Sequence, residues 1–203
     1  SMLMDGVQLE QDSVVQFTPN HPVDFMTVSG DAMWLYVASS DGQLSYYDIR
    51  DREEPRLVST KSVGANITEI EYLLGDISLL IATDKGTVQQ WFPVRNNSNN
   101  VFDLMQIREF DKQGHAIADI KTEFGRKAFV TADASGYVGV YHATAHRTVM
   151  LEKITDSALT NLIISPRADA LLLEDAKGQM HFVKVHNEHP EISWSSLWGE
   201  VWY

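Results

Sequence analysis

Histidine and aspartate are the side chains here whose spacing could do chemistry. His142 and His146 stand four apart, and His181, His186 and His189 gather toward the C-terminal end. Imidazoles so spaced hold zinc when they converge on one point and are fixed by hydrogen-bonded partners behind them. The first pair falls in a turn between strands, and the other three spread over a strand end and a proline-containing loop, so both sets read as solvated or hydrogen-bonding side chains. Asp41, Asp84, Asp133 and Asp175 each stand one to three residues before a glycine, namely Gly42, Gly86, Gly136 and Gly178. A catalytic carboxylate pair occurs once, whereas one aspartate per unit is the distribution of a turn residue that bonds its own backbone amides. No serine sits in a nucleophile elbow and no glycine loop is built to cradle phosphate. The chain has no cysteine, which removes thiol catalysis, disulfides and cysteine zinc sites. No residue is therefore assigned to catalysis, to a cofactor or to a metal, ligand-binding residues are not identified, and the expected protein is not an enzyme. An enzyme acting on a sugar or through a quinone is the minor alternative.

The elements that position these residues follow from an internal repeat. Four segments, 26 to 49, 67 to 94, 116 to 144 and 159 to 185, align. Each has a short β-rich run, a polar turn, an apolar run and a second turn that carries the glycine. The first turns are Gly30-Asp31, Gly75-Asp76, Gly125-Arg126 and Arg167-Ala168-Asp169. After the glycine a strand ends on aromatics (Tyr46 and Tyr47, Trp91 and Phe92, Tyr141, Phe182), which can wedge between adjacent sheets. The central runs Leu35 to Ala38, Leu79 to Ala82, Ala128 to Thr131 and Leu171 to Leu173 are almost wholly apolar, as strands covered on both faces are. A weaker fourth strand follows near Leu57 to Ser59, Met105 to Ile107, Val149 to Leu151 and Ile192 to Trp194.

Four strands in each of four units predict an all-β protein, a β-propeller or propeller fragment of about four blades. The single domain spans 1–203, with repeats at about 21–62, 63–112, 113–154 and 155–194 and a tail at 195–203. In the third unit Gly114-His115 precedes Tyr141-His142 by 27 residues, close to the spacing of the Gly-His and Trp-Asp dipeptides of WD40 repeats. Tyr47-Asp48 is the nearest to a Trp-Asp pair. These units resemble WD40 blades without carrying both dipeptides throughout. The interval from Gly86 to Gly136 is the longest and holds Asn96 to Asn100, which reads as an exposed loop. Asn66-Ile67-Thr68 and Asn96-Asn97-Ser98 match the N-glycosylation pattern, a match that arises often by chance.

Residues 7 to 18 read as a strand or two left from a preceding unit, and Trp194, Trp198 and Trp202 as packing residues. Four blades either close a small ring or expose sheet faces that associate with another copy. The net charge of −12 over 203 residues works against nucleic acid and anionic membranes as direct partners. No apolar run is long enough to span a bilayer.

The strings YHATAHRTVMLE, LIISPRADALLLE and VHNEHPEISWSSLWGEVWY, from Tyr141 onward, and less tightly SLLIATDKGTVQQWF upstream, resemble the long extracytoplasmic insert of phosphate-type ABC transporter permeases, the PstC-like subunits of proteobacteria. The resemblance implies a location on the periplasmic side of the inner membrane, in a full-length protein embedded in that membrane, with the tail leading toward a transport domain that this chain does not contain. It also implies an accessory role beside the other phosphate transporter subunits, docking the substrate-binding protein or the permease partner, or regulating phosphate uptake. The alternative is a free-standing soluble WD40-like scaffold. No transport residue carries over, and no cofactor is implied.

Overall fold

The computed structural model describes residues 15–73, 77–110, 113–122, 128–166 and 170–184. Its fifteen strands are β1 (Phe25–Val28), β2 (Trp34–Ala38), β3 (Gln43–Asp48), β4 (Arg56–Ser62), β5 (Ile67–Leu73), β6 (Ser78–Thr83), β7 (Val88–Arg95), β8 (Phe102–Glu109), β9 (Ile117–Thr122), β10 (Ala128–Asp133), β11 (Tyr137–His142), β12 (Arg147–Lys153), β13 (Leu159–Ile164), β14 (Ala170–Asp175) and β15 (Met180–Lys184). They form antiparallel meanders in chain order: β1 to β4, β5 to β8, β9 to β12, and β13 to β15.

The meander follows from its turns. Gly42, Gly86, Gly136 and Gly178 all have positive φ, between 76° and 99°, a conformation that L side chains resist. The strands before the Gly86 and Gly136 turns, β6 and β10, are apolar on both faces because a sheet packs on either side. All six residues of β6, and all six of β10, are buried.

Position relative to the turn glycine decides which neighbour a side chain meets. Six before it stand Tyr36, Leu80 and Val130, four before it Ala38, Ala82 and Ala132, and two after it Leu44, Val88 and Val138. All of these are buried against the following sheet. Five after it, Trp91 and Tyr141 are buried against the preceding sheet. A register shift falls between the residues four and five after the glycine, at Tyr46/Tyr47, Gln90/Trp91 and Val140/Tyr141. Such a bulge re-aims the side chain that follows it.

Three hydrophobic clusters join the four sheets, the first to the second, the second to the third and the third to the fourth. The first strands of the sheets, β1, β5, β9 and β13, lie side by side in that order. A closed ring of four sheets has four such junctions. Among the described residues the first and fourth sheets are not packed together to a comparable extent, so the four sheets form an open arc. Residues 15–18, read from sequence as part of a strand, are irregular here, and 7–14 lie outside the described residues. The expected fourth strand at Ile192 to Trp194, three of the four first turns (74–76, 123–127 and 167–169) and the tail at 195–203 also lie outside them.

Candidate functional site

The polar residues that recur from unit to unit are built into brackets holding a turn to the connector that precedes its sheet. In the third unit Gln113 is the hub. Its Oε1 accepts hydrogen bonds from Tyr141 Oη at 2.8 Å and from Thr131 Oγ1, and its Nε2 donates to Asp133 Oδ2 at 2.9 Å. Asp133 Oδ1 accepts from the amides of Ser135 and Tyr137 at 2.9 and 3.0 Å. The Phe110 ring, three residues before Gln113, packs edge-on against Phe129 and Tyr141.

The first unit repeats this arrangement. Asn20 Oδ1 accepts from Tyr47 Oη at 3.1 Å and from Ser45 Oγ at 2.9 Å. His21 Nε2 is hydrogen-bonded to Ser45 Oγ at 2.7 Å. Phe17, three residues before Asn20, contacts Tyr47 with ring centres 5.3 Å apart. In the second unit Asn66 Nδ2 donates to Asp84 Oδ2 at 3.0 Å. In the fourth, Asp175 Oδ1 accepts from the amides of Lys177 and Gln179, and its Oδ2 is bonded to His181 Nε2 at 2.8 Å. That bond to His181, with the turn amides, holds the Asp175 carboxyl below the usual carboxylate range. The four aspartates singled out by sequence thus act at the turns they precede, Asp41 by accepting from Ser39 Oγ.

The turns at Gly42, Gly86 and Gly136 also grip the next connector. The amides of Val63, Gln113 and Ile154 donate to the carbonyls of Gly42, Gly86 and Gly136. A Cβ on these glycines would collide with the backbone of Ala65, of Gly114 and His115, and of Thr155.

The histidines do not converge. His142 Nδ1 accepts from the Ala145 amide, and His146 Nε2 bonds the Glu109 carbonyl with its ring edge-on to Phe110. His181 belongs to the fourth turn. His186 and His189 lie outside the described residues, and no group of three metal-ligating side chains occurs among the described ones. Gln113 and Asn20 were passed over by the sequence reading. The signal for both was a phenylalanine three residues earlier and a tyrosine five residues after the turn glycine.

A second cluster spans the first strands of the second and third sheets. Asp119 Oδ2 accepts from the Leu162 amide of β13 at 2.8 Å, and its Oδ1 accepts from Lys121 Nζ at 3.1 Å. Glu69 and Glu71 are half-buried beside them, and burial pushes both carboxyls up. Burial opposes the Lys121 charge, yet the bond to Asp119 and the surrounding carboxylates hold its pKa above the ordinary value. On the rim of the first sheet, Asp48, Arg50, Asp51, Glu54 and Arg56 line a shallow depression. Arg50 there is paired bidentately with Asp48 and lies 5.1 Å above the Trp34 ring.

With this geometry the chain is a WD40-like β-propeller arc. No protein-family model matches it, and none of the curated proteins matches it. Among solved structures it is similar to the computationally designed protein Ika4, with 13% identity, 88% of this chain and all of Ika4 covered, and a TM-score of 0.66. It is also similar to Sqt1 of Saccharomyces cerevisiae (9% identity, 78% of this chain and 46% of that one, TM-score 0.65). A third is the β-propeller domain of Cps50 (Swd1) from Myceliophteria thermophila (10%, 79% and 50%, TM-score 0.64). The chain spans about half the length of these two natural propellers.

Proposed function

We propose that this chain is a non-catalytic protein-docking module, a WD40-like scaffold. The observation that carries the reading is the use made of its recurrent polar residues. Gln113, Asn20, Asp133 and Asp175 face turns, connectors and tyrosines of their own sheet, which is the work of a scaffold. What such a fold offers to others is its loops and rims, here carrying an excess of acid that totals −12 over the chain. A partner with a basic patch fits that field, and association steered by it weakens with salt.

The finer reading places this module on the periplasmic side of the bacterial inner membrane, as an accessory part of a phosphate-type ABC permease that docks the substrate-binding protein or the permease partner. It rests on the resemblance of the strings that begin at Tyr141. Half-length similarity to two natural propellers favours the scaffold reading without the transporter.

Titrating the chain with the purified phosphate-binding protein of the same organism, at low salt and at roughly 0.5 M salt, separates the two. Saturable binding that falls with salt supports the transporter placement. No binding removes that placement and leaves the scaffold. Detection of substrate turnover by the purified chain would overturn both.

A further inference from the structure

We propose that two copies of this chain close into one eight-sheet ring, the fourth sheet of each seating on the first sheet of the other. The fourth sheet presents the side chains that its predecessors bury. Six before Gly178 stands Leu172, which is half-buried, two after it Met180 and four after it Phe182. The corresponding Tyr36, Leu80 and Val130, then Leu44, Val88 and Val138, then Tyr46, Gln90 and Val140, are all buried. Met180 is 63% exposed and Phe182 60%. Strand register sets Ile163, Leu172 and Phe182 in one row across the sheet, an apolar stripe of the kind that marks an interaction surface. The Gly178 turn, unlike those at Gly42, Gly86 and Gly136, has no connector packed on it among the described residues. Glu174 breaks the pattern, standing where the other sheets have alanine, and its carboxylate is already hydrogen-bonded to Asn161 Nδ2 at 2.8 Å.

The first sheet carries the other half of the same junction. Phe17, Asn20 and Tyr47 reproduce Phe110, Gln113 and Tyr141, but Phe110 is buried between two sheets whereas Phe17 is 40% exposed. Met26 and Val28 of β1 are exposed as well. One end therefore offers a sheet face and a turn on which no described connector packs, and the other offers a connector of the kind that fills such a turn. Among the described residues of a single arc, the strands of the first and fourth sheets are not packed together as successive sheets are. The chain covers 46% of one natural propeller and 50% of another, so two arcs supply a full ring. The designed chain Ika4 is matched over its whole length. Two copies related by a two-fold axis along the ring would make the junction twice, each repeating the internal geometry.

The test is the mass of the full chain in solution by light scattering, with Phe17→Asp and Phe182→Asp as variants. Both side chains are exposed in the single copy, and circular dichroism checks that each variant keeps its fold. The expected result is a dimer that either substitution converts to monomer. Mixing the two variants in equal amounts then restores a heterodimer, because one of its junctions pairs an unaltered Phe182 with an unaltered Phe17. A monomeric parent chain at all concentrations overturns the proposal. So does a dimer that survives both substitutions, or one that mixing fails to restore, since the latter marks a face meeting its own copy. If Phe182→Asp instead lowers the melting temperature of a monomer, the chain covers this face itself and the proposal also fails.

Discussion

At the residue scale the bracket aspartates are the side chains with most to lose. Asp133 serves Gln113 and two turn amides, and it is buried. Removing a charged acceptor that leaves buried donors unmatched costs about 1.5–3 kcal/mol. Asp133→Ala is therefore expected to lower stability by that amount in urea denaturation, and a change within error would show that the turn holds without it. The half-buried pair Glu69 and Glu71 works the other way. Their carboxyls are raised by burial, so their effect on stability is most favourable when they are protonated and is lost as pH rises through the folded pKa. Glu69→Gln and Glu71→Gln are each expected to raise the melting temperature at pH 7. That advantage shrinks as pH falls through the carboxylate range. An advantage independent of pH would assign it to packing.

At the element scale the turn glycines differ in a way that sequence does not reveal. Gly136 and Gly178 share a left-handed backbone, with φ of 85° and 76°. Forcing an L side chain into that region costs about 1–2 kcal/mol, which is the whole expected effect of Gly178→Ala. At Gly136 the added Cβ also meets the Thr155 and Ser157 carbonyls. Gly136→Ala is thus expected to destabilise by clearly more, read as the shift of the urea midpoint. Equal losses at the two sites would mean that the 154–158 connector moves aside without cost.

At the scale of the whole molecule an open arc has an interior and two ends. The strands β6 and β10 are enclosed by neighbours on both faces, whereas β15 carries an exposed row and β1 alternates exposed residues with half-buried ones. Opening free energy follows local burial. Hydrogen exchange is expected to be slowest in β6 and β10 and fastest among the strands in β15 and β1. Uniform protection of all four sheets in a monomer would mean that the ends are covered within one chain. Protection of β15 that grows with protein concentration is the exchange signature of ring closure by a second copy.

The strands, turns and blade-like repeat were legible because they are local. Glycine is favoured where φ is positive, and a run such as Leu79 to Ala82 is apolar on both faces where both are covered. The turn role of Asp133 was legible for the same reason, since its amide partners are two and four residues away. The hub role of Gln113 was hidden, because it joins residues 18 and 28 positions apart. Nor could sequence tell that Phe182 stands exposed while Val140, at the same place in its own unit, is buried. From sequence, Phe182 reads as an aromatic wedged between adjacent sheets. Whether such a residue is covered depends on a neighbouring sheet, and how many sheets pack, and whether their ends meet, is decided only in three dimensions.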